Sequence, residues 1–233
     1  MPKILQLSPH VANLIAAGEV VERPASVAKE LLENAVDAGA SKVTLEIRDG
    51  GMTFLRLTDN GCGMAPEDAR TAFLRHATSK LRTAEDLAAI ATMGFRGEAL
   101  AAIASVSRID LMTKTAGAVS GTSLHLEAGV ITEESEAGCP EGTTIIIRDL
   151  FYNTPARMKF MKSDSVEGGR VAAAVQQQAL AHPEVAFTFI RDGKQVLNTP
   201  GTGKLEDAVY CVYGRECAKM VKVESRWDGM LLT

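Results

Sequence analysis

The segment from Pro24 to Ala38 sorts its residue types cleanly in one regular conformation, and that conformation dictates what must lie beside it. Wound as an α-helix at about 100° per residue, it places Glu30, Asn34 and Asp37 within about 60° of one another. Val27, Ala28, Leu31, Leu32, Ala35 and Ala38 gather on the other side, which needs an apolar partner. Pro24 suits the first helical position, and Gly39 can take the left-handed residue just past the end. The partner follows at once. Residues 42–48 and 53–58 alternate as strands do, and Asp49-Gly50-Gly51 between them is a hairpin turn.

Further along, Ser8-Pro9 opens an earlier helix that runs to about Gly18, and Pro66 opens a short one. Residues 75–92 lose periodicity and read as a long mobile loop. Residues 107–113, 122–127, 130–134 and 143–149 are β-type runs, 163–181 is helical, and 186–191 with 195–198 form a hairpin on Asp192-Gly193. Thr199-Pro200-Gly201-Thr202-Gly203 is the best linker, followed by a helix over 205–213 and two strand-like runs. The pattern is α+β: helices layered on one mixed, mainly antiparallel sheet.

With 25 basic and 29 acidic residues, a net charge of −4 provides no overall attraction to nucleic acid or an anionic membrane. No apolar run approaches the ~18 residues of a membrane span, and Met1-Pro2-Lys3 begins no signal peptide. Cys62, Cys139, Cys211 and Cys217 lack metal-ligand spacing and read as reduced thiols, so a cytoplasmic location is expected.

Three segments could carry chemistry. The Glu30, Asn34, Asp37 stripe is either a solvated helix face or a site in which Asn34 ligates a hard cation and a carboxylate one turn away polarises water. Asp59-Asn60-Gly61-Cys62-Gly63-Met64 is either an ordinary Asx turn or a strand end where a buried carboxylate accepts a hydrogen bond from an exocyclic amine. Gly94-Phe95-Arg96-Gly97-Glu98-Ala99-Leu100 is either a glycine-rich hinge or an anion site at the start of an Ala-rich helix. Gly201-Thr202-Gly203-Lys204-Leu205 imitates a phosphate loop but lacks the first glycine, at Asn198, and the Ser/Thr, at Leu205.

In this order and spacing the segments resemble the GHKL ATPases, and more narrowly the MutL family of DNA mismatch-repair proteins. The strings Ile15-Ala16-Ala17-Gly18-Glu19-Val20-Val21-Glu22-Arg23-Pro24, Arg75-His76-Ala77-Thr78-Ser79-Lys80, the glycine-rich segment 94–100 and Asp149-Leu150-Phe151-Tyr152-Asn153-Thr154-Pro155-Ala156-Arg157 look like its signatures. The resemblance implies ATP and Mg²⁺ as cofactors. It makes Glu30 the general base for water, Asn34 the Mg²⁺ ligand and Asp37 part of the nucleotide site. Asp59 and Thr143 would hold adenine and Gly63 would shape its pocket. Thr78, Ser79 and Lys80 would belong to a lid, and the backbone of Gly94, Phe95, Arg96, Gly97, Glu98, Ala99 and Leu100 would wrap the phosphates.

The implied fold is a two-layer α/β sandwich over residues 1–200, followed at 201–233 by the opening of a ribosomal S5-like domain. In the family that second domain supplies a lysine to the terminal phosphate and much of the DNA surface. Hydrolysis by these 233 residues is therefore expected to be weak, and DNA contact to lie mainly beyond them. The implied partners are a second copy of the chain, joined in response to ATP, and the mismatch-recognition protein MutS with other repair factors. A nucleotide-binding or DNA-clamping module with little hydrolysis is the alternative, but such a module has no need of Glu30. A phosphotransferase of the histidine-kinase branch would need a helical phosphoacceptor His segment ahead of the motifs, and the sequence has none there.

Overall fold

The computed structural model describes residues 20–77, 98–219, 225–227 and 230–232. The expected helix between Ser8 and Gly18, and nearly all of the loop at 75–92, lie outside them. Helix α1 (Pro24–Asp37) has proline in its first turn, and Gly39 takes a φ of 73° beyond its end. Strands β1 (Lys42–Arg48) and β2 (Phe54–Asp59) form the expected antiparallel hairpin across a short 3-10 turn. Helices α2 (Pro66–Thr71) and α3 (Ala99–Ser105) precede four strands, β3 (Arg108–Lys114), β4 (Gly121–Glu127), β5 (Val130–Ala137) and β6 (Gly142–Arg148). Then come α4 (Pro155–Met158), α5 (Asp164–Ala181), β7 (Ala186–Arg191), β8 (Lys194–Asn198) and α6 (Leu205–Tyr213).

Eight strands make one sheet in the order β5-β4-β3-β6-β2-β1-β7-β8. Among the described residues β1 and β7 pair in parallel and the other neighbours are antiparallel, so the sheet is mixed and mainly antiparallel as expected. Strand β5 extends to Ala137, past the expected 134, because it is an edge strand. Thr132, Glu133, Glu134, Ser135 and Glu136 are all exposed, so its pairing with β4 leaves no apolar alternation to read.

Register turns the inward face into rows that cross the strands. Ile47, Leu55, Ile147, Ile109 and Leu126 form one row, and Leu45, Leu57, Ile145, Leu111 and Leu124 the next. All ten side chains are buried. Against this surface lie Val27, Ala28, Leu31, Leu32 and Ala35 of α1, also buried. At roughly 25 cal/mol per Å² of apolar surface, this interface is the main favourable term in folding.

The back of α1 meets α5 through polar groups. Glu33 is 5% exposed, accepts a hydrogen bond from Gln178 Nε2 at 3.4 Å and has Lys29 Nζ at 3.5 Å. Glu167 is fully buried at the start of α5. Its Oε1 receives Arg23 Nη1 at 3.4 Å, Arg170 Nη1 at 2.9 Å and the Lys162 N–H at 3.1 Å. Arg23 stands immediately before α1, so this carboxylate fixes where that helix begins.

The signature at 149–157 closes the rim of the sheet next to the first row. Asp149 and Phe151 adopt left-handed φ values of 51° and 68°, which cost non-glycine residues energy and persist only where surroundings impose them. Here three successive N–H groups reach three places: Asp149 to Thr53 O at 3.3 Å, Leu150 to Met52 O at 2.8 Å, and Phe151 to Val106 O at 2.7 Å. Asn153 Nδ2 donates to Ser105 O at 2.8 Å, and Arg157 donates to Val21 O while lying over the Phe151 ring.

The expected linker is tied down. The Thr199 hydroxyl accepts from the Phe187 N–H at 2.9 Å, and the Gly203 N–H donates to Pro183 O at 3.0 Å. In the false phosphate loop, the Thr202 hydroxyl pairs with Asp207 at 2.6 Å and receives the Lys204 N–H at 3.3 Å, which organises the start of α6. Beyond it, β9 (Ser225–Trp227) and β10 (Met230–Leu232) pair antiparallel, while the expected strand face at Val221 and Val223 lies outside the described residues.

Leu111 is fully buried between Ile145 and Leu124. Leu111→Ala is expected to lower the free energy of unfolding by roughly 2–5 kcal/mol, read from urea denaturation.

Candidate functional site

At the opposite rim the row changes character. Asp59, Thr143, Thr113 and Thr122 stand side by side across β2, β6, β3 and β4, in register with the apolar rows behind them. Each strand thus ends its inward apolar series with a polar residue at the same edge. Asp59 is 8% exposed, Thr113 is fully buried and Thr143 is half-buried. A polar group so placed must find partners or lose free energy, and these do. The Gly61 N–H donates to Asp59 Oδ1 at 2.8 Å. The Thr113 hydroxyl meets the Thr143 hydroxyl at 3.0 Å, the Gly142 carbonyl at 3.1 Å and the Met64 N–H at 2.9 Å.

The loop after β2 is held to the starts of β1 and β6 and to the end of α1. Asn60 Oδ1 accepts the Ser41 and Lys42 N–H groups at 3.0 and 2.8 Å. The Cys62 N–H donates to Ala38 O at 3.0 Å, which sets the loop against the C-terminal end of α1. Two glycines make the approach possible. A β-carbon on Gly63, whose φ is 64°, would stand 2.1 Å from Lys114 O, and one on Gly142 would stand 2.2 Å from Asp59 O.

The bond from Cys62 to Ala38 joins two of the predicted segments. Asn34 lies one turn before Ala38, whose N–H bonds Asn34 O at 2.9 Å, and Glu30 lies one turn earlier. Glu30 and Asn34 are half-buried and Asp37 is exposed. The stripe on α1 and the Asp59 rim therefore belong to one end of the sandwich. Among the predicted phosphate-loop residues, Glu98 is the residue before α3, and Ala99 and Leu100 form its first turn, all half-buried. His76 Nδ1 lies 3.2 Å from Glu98 Oε1, so the chain on either side of residues 78–97 comes together there. Thr78, Ser79, Lys80, Gly94, Phe95, Arg96 and Gly97 lie outside the described residues.

Sequence reasoning missed Thr113, Thr122, Asn60 and Gly142. The signal for the threonines was present: in the runs Ile109, Leu111, Thr113 and Thr122, Leu124, Leu126, a polar residue occupies an inward position at one end. Asn60 read as part of a turn, and its bonds to β1 depend on a register that only the folded sheet fixes.

Burial pushes the Asp59 carboxyl above the ordinary aspartate range, outweighing the backbone N–H groups of Gly61 and Thr143 that pull it down. What the rim offers is a desolvated carboxylate and a hydroxyl, side by side, beside a helix carrying an amide and a second carboxylate. Such a rim suits a planar ligand with hydrogen-bond donors, and the stripe suits what that ligand carries further along α1.

Residues 22–153 match the family described as histidine kinase-, DNA gyrase B- and HSP90-like ATPases. The fold and site therefore define a module of that ATPase class. A MutL protein of Symbiobacterium thermophilum is 52% identical over 98% of this chain and 36% of its own length, and one of Agathobacter rectalis is 48% identical over 93% and 33%. The ATPase domain of Aquifex aeolicus MutL, solved in complex with ADP, superposes with a TM-score of 0.68 at 34% identity, covering 83% of this chain and 70% of that domain. The chain belongs to the MutL family of DNA mismatch repair proteins, and it spans about a third of the length of the curated relatives it matches.

Because the folded-state pKa of Asp59 is raised, its contribution to stability is most favourable below the ordinary aspartate value and is lost as pH rises through the folded-state value. Asp59→Asn, which keeps the shape and the acceptor for Gly61, is expected to raise the melting temperature of the ligand-free chain at pH 7. The gain should shrink as the pH falls through the raised value. Thermal melts across pH check both signs.

Proposed function

We propose that this chain binds Mg²⁺·ATP at the Asp59 rim and hydrolyses it slowly, as the N-terminal ATP-driven dimerisation switch of a MutL-type mismatch-repair protein. The observation that carries the proposal is the junction of the Asp59–Thr143 rim with the C-terminal end of α1, through the Cys62 N–H and Ala38 O. That junction gives one nucleotide a base site and a phosphate site. Similarity to a MutL ATPase domain that holds ADP supports the same reading.

In this reading Asp59 accepts the exocyclic amine of adenine, Thr143 lies beside it and Gly63 lets the backbone approach the ring. Asn34 offers an amide oxygen, a hard donor that fits an ion sharing its remaining ligands between water and phosphate, and Asp37 adds negative charge nearby. The ion, when bound, neutralises phosphate charge. Glu30 takes the proton from the attacking water at its carboxylate, one turn from Asn34. Thr78, Ser79 and Lys80 form the lid, and the backbone from Gly94 through Leu100 receives the phosphates at the start of α3. Residues 1–200 form the ATPase unit, and 201–233 begin an S5-like domain. The work of the whole protein, with MutS, DNA and a second copy as partners in the cytoplasm, belongs to this proposal.

Glu30→Ala is expected to leave binding of a non-hydrolysable ATP analogue nearly unchanged and to lower turnover by about 10²–10⁴. Asn34→Ala should weaken analogue binding only with Mg²⁺ present. Asp59→Asn should weaken it by about 10–100-fold with or without the ion, as expected when a charged hydrogen bond is lost. Calorimetric titration and a phosphate-release assay read these effects, and normal turnover in the Glu30 variant would remove the base from the mechanism.

A further inference from the structure

Thr113 has no part in the mechanism above, yet it is fully buried at the centre of the rim, and a count of its protons says what it does. A threonine hydroxyl has one proton to give and two lone pairs to receive. The Met64 N–H, at 2.9 Å, can only donate, so it uses one lone pair of Thr113. The Gly142 carbonyl, at 3.1 Å, can only accept, so it takes the single proton. What remains on Thr113 is one lone pair, and the Thr143 hydroxyl stands 3.0 Å from it. The arrangement that satisfies all three contacts at once has Thr143 donate its own proton to Thr113. Its lone pairs are left to face whatever lies along the rim, where Thr143 is half-buried rather than sealed. Its cross-strand neighbour Asp59, as a carboxylate, also accepts.

We infer that Thr113 is a positioning residue that fixes the Thr143 hydroxyl as a hydrogen-bond acceptor, so that the rim selects a purine nucleotide whose six-membered ring presents an amine there rather than a carbonyl. This rests on the nucleotide-binding reading above and deepens it. Two adjacent acceptors welcome an amine, which donates. They reject a carbonyl, which leaves two lone pairs facing two others and buried groups without partners. Fixing the hydroxyl in advance matters. A free hydroxyl rotates to donate to a carbonyl and discriminates poorly, whereas one whose proton is already committed cannot. Gly142 and Met64 complete the device, because their main-chain groups fill the other two positions on Thr113.

The test compares ATP with inosine triphosphate, which differs at that position by carrying a carbonyl, in calorimetric titrations of the native chain, Thr113→Val and Thr113→Ser. The native chain should bind ATP more tightly than inosine triphosphate. Thr113→Val keeps the volume but frees the Thr143 proton, so the ratio of the two dissociation constants should fall by about tenfold or more, the worth of one well-placed hydrogen bond. Thr113→Ser should restore it, since it restores the same donor and acceptors. Thr113→Cys, close in volume with a thiol that bonds weakly, repeats the test if the valine variant does not fold. A folded valine or cysteine variant that keeps the native ratio overturns the inference while leaving the proposed function standing. A native chain that binds neither nucleotide overturns both. A merely structural role for Thr113 would weaken both nucleotides equally and leave the ratio where it was, which also overturns the inference.

Discussion

The site depends on a register that runs unbroken across β1, β2, β6, β3 and β4. Because each strand is aligned with its neighbour, two inward rows are wholly apolar and the third, at the rim, carries Asp59, Thr143, Thr113 and Thr122. A slip of one residue in any strand would turn its inward set outward and place an apolar side chain or a gap in the polar row. The apolar rows make that slip costly. The same burial that stabilises the fold therefore aligns the side chains of the site, and the desolvation of Asp59 follows from its being last in a row of leucines.

The two rims divide the work. At the Asp59 rim, main chain approaches main chain so closely that Gly63 and Gly142 have no room for a β-carbon. At the other rim the signature at 149–157 bonds to the chain's own carbonyls, through main chain at Phe151 and through side chains at Asn153 and Arg157. Phe151 reaches Val106, Asn153 reaches Ser105, and Arg157 reaches Val21. Ser105 and Val106 end α3, whose other end begins at Glu98, so the motif holds from behind the helix proposed to receive phosphates. The arginine at 157 and the one at 23, on Glu167, fix the entry to α1 in the same way.

Much of this was legible in the sequence, and the reasons differ by element. The period of α1, the turn at Asp49-Gly50-Gly51 and the alternation of β1, β2, β4 and β6 are local properties, and they gave these elements to within about two residues. Strand β5 continues past 134 with no signal in the sequence, because an edge strand with two exposed faces has no apolar pattern to show. Glu30, Asn34 and Asp59 stood out as polar residues at strategic places in helix and strand. Thr113 did not, since its importance comes from Met64, Gly142 and Thr143, three residues that are distant in sequence or on other strands. Linear patterning reveals which side chains face inward, and it is silent about which of them will exchange protons.

Glu33 stands on the concealed side of α1, about 60° around the axis from Glu30, where Gln178 of α5 receives it. A helix resting on leucines and valines alone could roll like a cylinder on a smooth bed, because apolar contact is indifferent to azimuth. A carboxylate wedged between two helices is not indifferent: turned one way it meets hydrocarbon, turned the other it abandons the Gln178 amide. It works as a key in a shaft. The helix that aims Glu30 and Asn34 is thereby indexed to a single angular setting, and the aim of both residues is set by a third on the neighbouring, buried side.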